Sequence, residues 1–251
     1  MLKKILITTV FLASVATANA AMTISGTRII FPGTQNEVNV RTNNKGDAPA
    51  LVQVWVDEGK KDANLNNVKV PFIVTPPVYR VEPGKGQSIR MIYNGMALPQ
   101  DKESVFWFNL LEIPPKSKNT SEQRLELAFR TRIKIFYRPT ALMKSSSEAE
   151  RDKLQWESMF DPLRGMGIKV TNPTNYYFSF DSGSVMSVGR KIALNVDMIP
   201  PGQNRIFYPA NKIKSGEAIS ALEYKMINDY GATVTVKMHS VGTKGFVVND
   251  Q

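Results

Sequence analysis

The side chains that most often carry covalent or metal chemistry are nearly missing from this sequence. Cysteine is absent and histidine occurs once, at His239. That leaves no thiolate nucleophile, no redox pair, and no thiolate or histidine-rich metal centre. The motifs G-x-S-x-G, H-E-x-x-H and S-x-x-K do not occur. Gly84 and Gly86 fall in a turn between strand patterns, not ahead of a helix, so no phosphate loop is indicated. Asp57 and Glu58 are adjacent acids on a strand pattern, where neighbours point to opposite faces; they read as solvated surface. The chemistry on offer is non-covalent. Residues 125–139, LELAFRTRIKIFYRP, alternate strictly: Leu125, Leu127, Phe129, Thr131, Ile133 and Ile135 on one face, Glu126, Ala128, Arg130, Arg132 and Lys134 on the other. This predicts a long strand with one apolar and one largely charged row, ended by Pro139, which cannot donate to a ladder. Taken alone, it is the last strand of a β-sandwich with its apolar face in the core.

The elements that must position this strand are also strands. Residues 22–31, 37–41, 51–56, 70–81, 88–93 and 103–113 carry strand patterns separated by turn residues such as Pro32-Gly33 and Asn43-Asn44-Lys45-Gly46. Pro76-Pro77 and Pro83-Gly84 break the fourth region into short pieces that must run along an edge or switch sheets. About seven strands before Pro139, joined by turns, is the count for an immunoglobulin-like sandwich. Residues 145–153, SSSEAERDK, read as a linker ending in a helical turn, with Ser145 and Glu148 at capping-box spacing. Strand patterns resume at 167–173, 176–180, 191–196, 205–209, 218–227 and 232–238, a second all-β domain.

Residues 1–20 stand apart. Lys3 and Lys4, an apolar run from Ile5 to Val15, and Ala18-Asn19-Ala20 make a secretory signal peptide, too short for a membrane anchor. The expected division is therefore 1–20 signal peptide, 21–141 first domain and 142–251 second domain. The mature chain is expected to be exported and soluble, with no membrane insertion. An exported chain without cysteine must hold itself together by burial alone, and two domains of this size can. The net charge of +10 is spread along the chain, and export makes nucleic acid an improbable partner.

Several separated segments carry a resemblance: TRIIF (27–31), TPPVYRVEPG (75–84), QDKESVFWFNLLEIPP (100–115), RIKIFYRP (132–139), NPTNYYF (172–178) and NDYG (228–231). In this order and spacing the chain resembles the PapD-like periplasmic chaperones of the chaperone–usher pilus pathway. The resemblance implies an all-β fold of two immunoglobulin-like sandwiches in a boomerang with an interdomain cleft. It implies pilin subunits as clients and an outer-membrane usher as the partner that receives them, with no cofactor, no metal and no enzymatic activity. A pilin is an incomplete sandwich, and the strand matching residues 123–137 would supply what it lacks, by donor-strand complementation. Leu125, Leu127 and Phe129 would fill the client's groove; full burial of the three would be worth about 5–9 kcal/mol before association costs. Arg28 and Lys134 would anchor the client's C-terminal carboxylate. Glu103, Arg138 and Asp229 would form an interdomain ion network that orients the cleft. Ile133 and Ile135 are assigned to the chain's own core. The loop 116–124 is short and lacks a cysteine pair, which points to the short-loop subgroup. A self-capping homodimer through the exposed strand is compatible with this reading. The alternative from another class is a structural subunit or adhesin of a surface fibre, which would be one domain with an N-terminal donor extension.

Overall fold

The computed structural model describes residues 22–60, 69–113, 127–242 and 245–249. The signal peptide, Leu125 and the loop 116–124 lie outside the described residues.

The first half holds nine described strands: β1 Met22–Ile24, β2 Arg28–Pro32, β3 Glu37–Asn44, β4 Ala50–Asp57, β5 Phe72–Thr75, β6 Val78–Val81, β7 Gly86–Tyr93, β8 Ser104–Ile113 and β9 Phe129–Arg138. They form two facing sheets, β1-β3-β7-β5 and β2-β9-β8-β4-β6. Alternate residues of both inner faces meet in a core that includes Phe31, Val52, Val54, Ile89, Met91, Phe108, Ile133 and Ile135. The Pro76-Pro77 pair does switch sheets, with β5 and β6 each lying at a sheet edge where a missing N–H costs no ladder bond. The expected single strand 22–31 is two. The chain turns at Gly26, in the left-handed region at φ +96°, so β1 joins one sheet and β2 the other. This break lays β2 parallel to β9, with Arg28 opposite Lys134.

The second half holds β10 Gln155–Asp161, β11 Gly165–Thr171, β12 Phe180–Ser187, β13 Arg190–Leu194, β14 Asn204–Phe207, β15 Ile219–Ile227, β16 Thr233–Val241 and β17 Gly245–Val248. They make one continuous ladder, β13-β12-β15-β16-β17-β10-β11-β14. Its two ends meet at the end of β13 and just past β14, where Asn195 N donates to Tyr208 O at 2.9 Å and Ala210 N to Ala193 O at 2.8 Å. The ladder thus wraps around one core, with Trp156, Phe178, Ile168, Leu222 and Tyr224 inside.

Three sequence expectations shift here. Residues 176–180 are not a strand: Asn172 Nδ2 donates to the carbonyls of Tyr176 and Pro200, at 2.7 and 3.0 Å, and holds the chain in a turn, so the strand starts at Phe180. β10 and β17 occur where no strand was expected. Residues 145–153 do end in a helical turn, Arg151–Lys153, but the segment before it is held in place rather than free. Ser147 is buried, and Ser146 rather than Ser145 caps the turn by accepting from Ala149 N at 3.2 Å. Glu148 reaches instead to Asn228 Nδ2, at 3.1 Å.

Candidate functional site

β9 is not one environment. From Lys134 to Tyr137 it is flanked by β2 on one side and β8 on the other, and Arg138 pairs with β2. From Phe129 to Ile133 it pairs only with β8, and among the described residues nothing lies along its other edge. Side-chain alternation continues along the strand, but the core stops at Ile133. Ile133 and Ile135 are buried, as expected, whereas Phe129 on the same face is 61 % exposed and Leu127 just ahead is 54 % exposed. An open backbone edge beside an exposed apolar row is a template for pairing with another strand. Leu125 would continue that row but lies outside the described residues.

Where the open edge ends, two cations begin. Arg28 and Lys134 were paired by resemblance alone, and the parallel β2–β9 register puts them directly opposite each other. Burial lowers the pKa of Lys134, and the neighbouring Arg28 charge lowers it further; Asp197, from the second half of the chain, pulls the other way. Burial likewise lowers that of Arg28, opposed by Asp229 and Glu103. Among the described residues neither cation forms an ion pair. Arg28 donates one bond, to the Ile227 carbonyl of the second domain at 2.9 Å, and its buried Nε has no partner. Lys134 Nζ sits 5.5 Å from the Trp107 ring centroid. Two desolvated like charges that form no ion pair among the described residues favour an incoming anion.

Beyond them lies the ion network. Arg138, 5 % exposed, donates through Nε to Glu103 at 2.8 Å and through both terminal nitrogens to Asp229, at 2.7 and 2.9 Å. Burial opposes its charge, but the Asp229 and Glu103 contacts outweigh this and hold its pKa above the ordinary value. Burial raises the pKa of Glu103, against the pull of Arg138. The other Glu103 oxygen accepts from Tyr177 N of the second domain at 2.8 Å, and Glu103 N donates to Asn175 O at 3.0 Å. The three network residues therefore do meet, and they tie the domains together. The Asn228–Gly231 turn that carries Asp229 packs on Thr27, next to Arg28.

One cluster was missed by sequence reasoning. Asp57 is not solvated surface: it is 2 % exposed and takes four donors, from Gly59 N, Asn109 Nδ2, Arg130 and Arg132. In the sequence Asp57 stands beside Glu58 and has the look of a solvated acid. The usable signal was the alternation of Trp55 with Asp57 and of Trp107 with Asn109, which puts all four on the face shared by Arg130 and Arg132.

The chain is similar to known proteins along nearly its whole length. Residues 21–143 match the family model described as pili and flagellar-assembly chaperone, PapD N-terminal domain, and residues 149–238 match pili assembly chaperone PapD, C-terminal domain. The probable fimbrial chaperone YadV of Escherichia coli is 43 % identical over 221 residues, covering 86 % of this chain and 88 % of the relative. The crystal structure of YadV chaperone matches with a TM-score of 0.72 at 39 % identity, covering 88 % of this chain and all of that one. The crystal structure of the Pseudomonas aeruginosa CupB2 chaperone matches with the same TM-score at 35 % identity and the same coverage.

Proposed function

This chain belongs to the PapD family of pilus-assembly chaperones, and from that premise we propose that it captures pilin subunits in the periplasm and delivers them to an outer-membrane usher. The observation that carries this reading is the sequence of features along one strand: an open backbone edge with an exposed apolar row, running into two desolvated cations that form no ion pair among the described residues. A client strand laid on residues 129–133 must stop where β2 starts, because both use the same edge of β9. Ending beside Arg28 and Lys134 with its terminal carboxylate, it runs in the direction of β2, and so parallel to β9. The backbone of β9 satisfies the client's unpaired ladder groups, and Leu125, Leu127 and Phe129 fill its groove. The carboxylate fixes the register, which matters because a one-residue slip turns every side chain to the wrong face. Glu103, Arg138 and Asp229 hold the cleft in shape without touching the client. The domain limits are assigned at 21–141 and 142–251, after a signal peptide of residues 1–20. No cofactor enters: release exchanges one strand for another. Without a client, the same edge is open to a second copy of the chain.

The test is co-purification from periplasm with the pilin subunits of the host, comparing wild type with Arg28→Ala and Lys134→Ala. The expected result is a pilin retained by wild type and lost by both variants, which should fold normally. Equal retention by all three would reduce the basic pair to surface charge. A wild type that retains no pilin would overturn the chaperone reading itself.

A further inference from the structure

The open half of β9 ought to fray. Ahead of the buried Ile133 its apolar row is exposed, one edge is unpaired, and its only ladder is with β8. Its outward row, however, is clamped down. Arg130 donates through Nε and a terminal nitrogen to Asn109 Oδ1, at 3.2 and 2.8 Å, and from that terminal nitrogen to Asp57 Oδ2 at 3.2 Å. Arg132 donates to Asp57 Oδ1 at 2.7 Å. The guanidinium of Arg130 lies 4.9 Å from the Trp55 ring and that of Arg132 4.6 Å from the Trp107 ring. Both side chains therefore lean across β8 onto β4, away from the open edge.

One carboxylate makes this possible. Asp57 Oδ1 also accepts from Gly59 N at 2.7 Å, and Oδ2 from Asn109 Nδ2 at 2.9 Å, so both oxygens are fixed before the arginines arrive. Gly59, at φ +88°, lies against the Trp107 indole where a Cβ would collide, so the turn that supplies its N–H needs glycine. Without the negative charge, two guanidinium groups two residues apart on one face repel each other and lose their common anchor.

We propose that Asp57 is a positioning residue for client capture: it pins Arg130 and Arg132 to the sheet, which keeps the open half of β9 straight and its free edge clear before a client arrives. This rests on the chaperone reading and adds to it a residue that the client does not touch. The advantage is preorganisation, since a frayed strand would have to be ordered at the moment of binding.

The test compares wild type, Asp57→Asn and Asp57→Glu, as the full mature chain, by two measurements. Hydrogen exchange reads the amides of residues 129–133 that bond to β8, against those of 52–56 and 134–137. Capture is then measured with the pilin subunit that wild type retains. In Asp57→Asn, exchange at 129–133 should accelerate about tenfold or more while the other segments keep their protection. Capture should fall by the fraction of chains in which this segment is frayed, a loss that becomes large as exchange at 129–133 approaches that of unprotected amides, and Asp57→Glu should restore part of both. Unchanged exchange at 129–133, or faster exchange with undiminished capture, would overturn the proposal. If Asp57→Asn does not fold, Arg130→Gln decides in its place, because that side chain is 42 % exposed and leaves Asp57 paired with Arg132. A wild type that retains no pilin sinks the chaperone reading, whereas retention equal to that of Asp57→Asn sinks only the role of Asp57.

Discussion

The two halves of β9 have the same alternation and opposite fates. At the inner end, Lys134–Tyr137 is paired on both sides and capped by the second domain; Phe136, on the charged face by count, is buried against Tyr177. At the outer end, Phe129 and Thr131 follow the same pattern and face solvent. A strand's pattern says which side chains share a face. What covers that face is decided by neighbours far away in sequence. One half of β9 holds this protein together, and the other half is free to complete something else.

Mutations at the two ends should separate these roles. The largest effect belongs to the inner end. Arg138→Ala removes the common partner of Glu103 and Asp229 and leaves Glu103 buried without its cation, which should cost about 3–5 kcal/mol. Chemical denaturation reads this as a lowered midpoint, and a loss under about 1 kcal/mol would mean the domains are held by other contacts. Truncating the outer end should do the reverse. Leu127→Ala with Phe129→Ala should leave stability within about 0.5 kcal/mol, because both side chains are already exposed. Pilin capture should nevertheless fall at least tenfold, since each methylene buried in a client groove is worth about 0.8 kcal/mol. Parallel melting and binding curves distinguish the outcomes, and lost stability with unchanged capture would reverse the assignment of the two halves.

The junction between the halves should trade stability against function. Lys134→Met removes a desolvated charge that Arg28 repels. Its melting temperature should equal or slightly exceed that of wild type while capture is lost; a clear drop in melting temperature would show Lys134 to be structural. The smallest effect is in pH. Lys134 loses its proton more readily than an ordinary lysine in the free protein, and a bound carboxylate would raise its pKa again. Capture should be at full strength below the free-state value. It should weaken as pH rises through the window between the free and bound values, beginning below the ordinary lysine range. Lys134→Arg should move the decline to higher pH. A binding curve flat across that alkaline range would indicate that Lys134 does not bear on the anion.

Much of this was legible in the sequence because strand addition depends on period-two alternation and on proline and glycine punctuation, both local properties. The apolar row, its end at Pro139 and an edge or a sheet switch at Pro76-Pro77 follow from residue types alone. Asp57 was misread for a local reason too: beside Glu58 it looks like surface, and only the lateral stacking of β4, β8 and β9 brings it under two arginines. The break at Gly26 has the same character. It looks like one turn residue inside a single strand, yet it sends Arg28 to the other sheet and opposite Lys134.

The sequence by itself determined the two all-β halves, the alternating strand, the shortage of catalytic side chains and the segments that carry the family resemblance. The tertiary structure decided where the core stops along β9, which edge stays open, and that cations about a hundred residues apart sit side by side. Alternation and turn chemistry act over a few residues, whereas burial, register and the desolvation of a charge depend on what the folded chain packs against it.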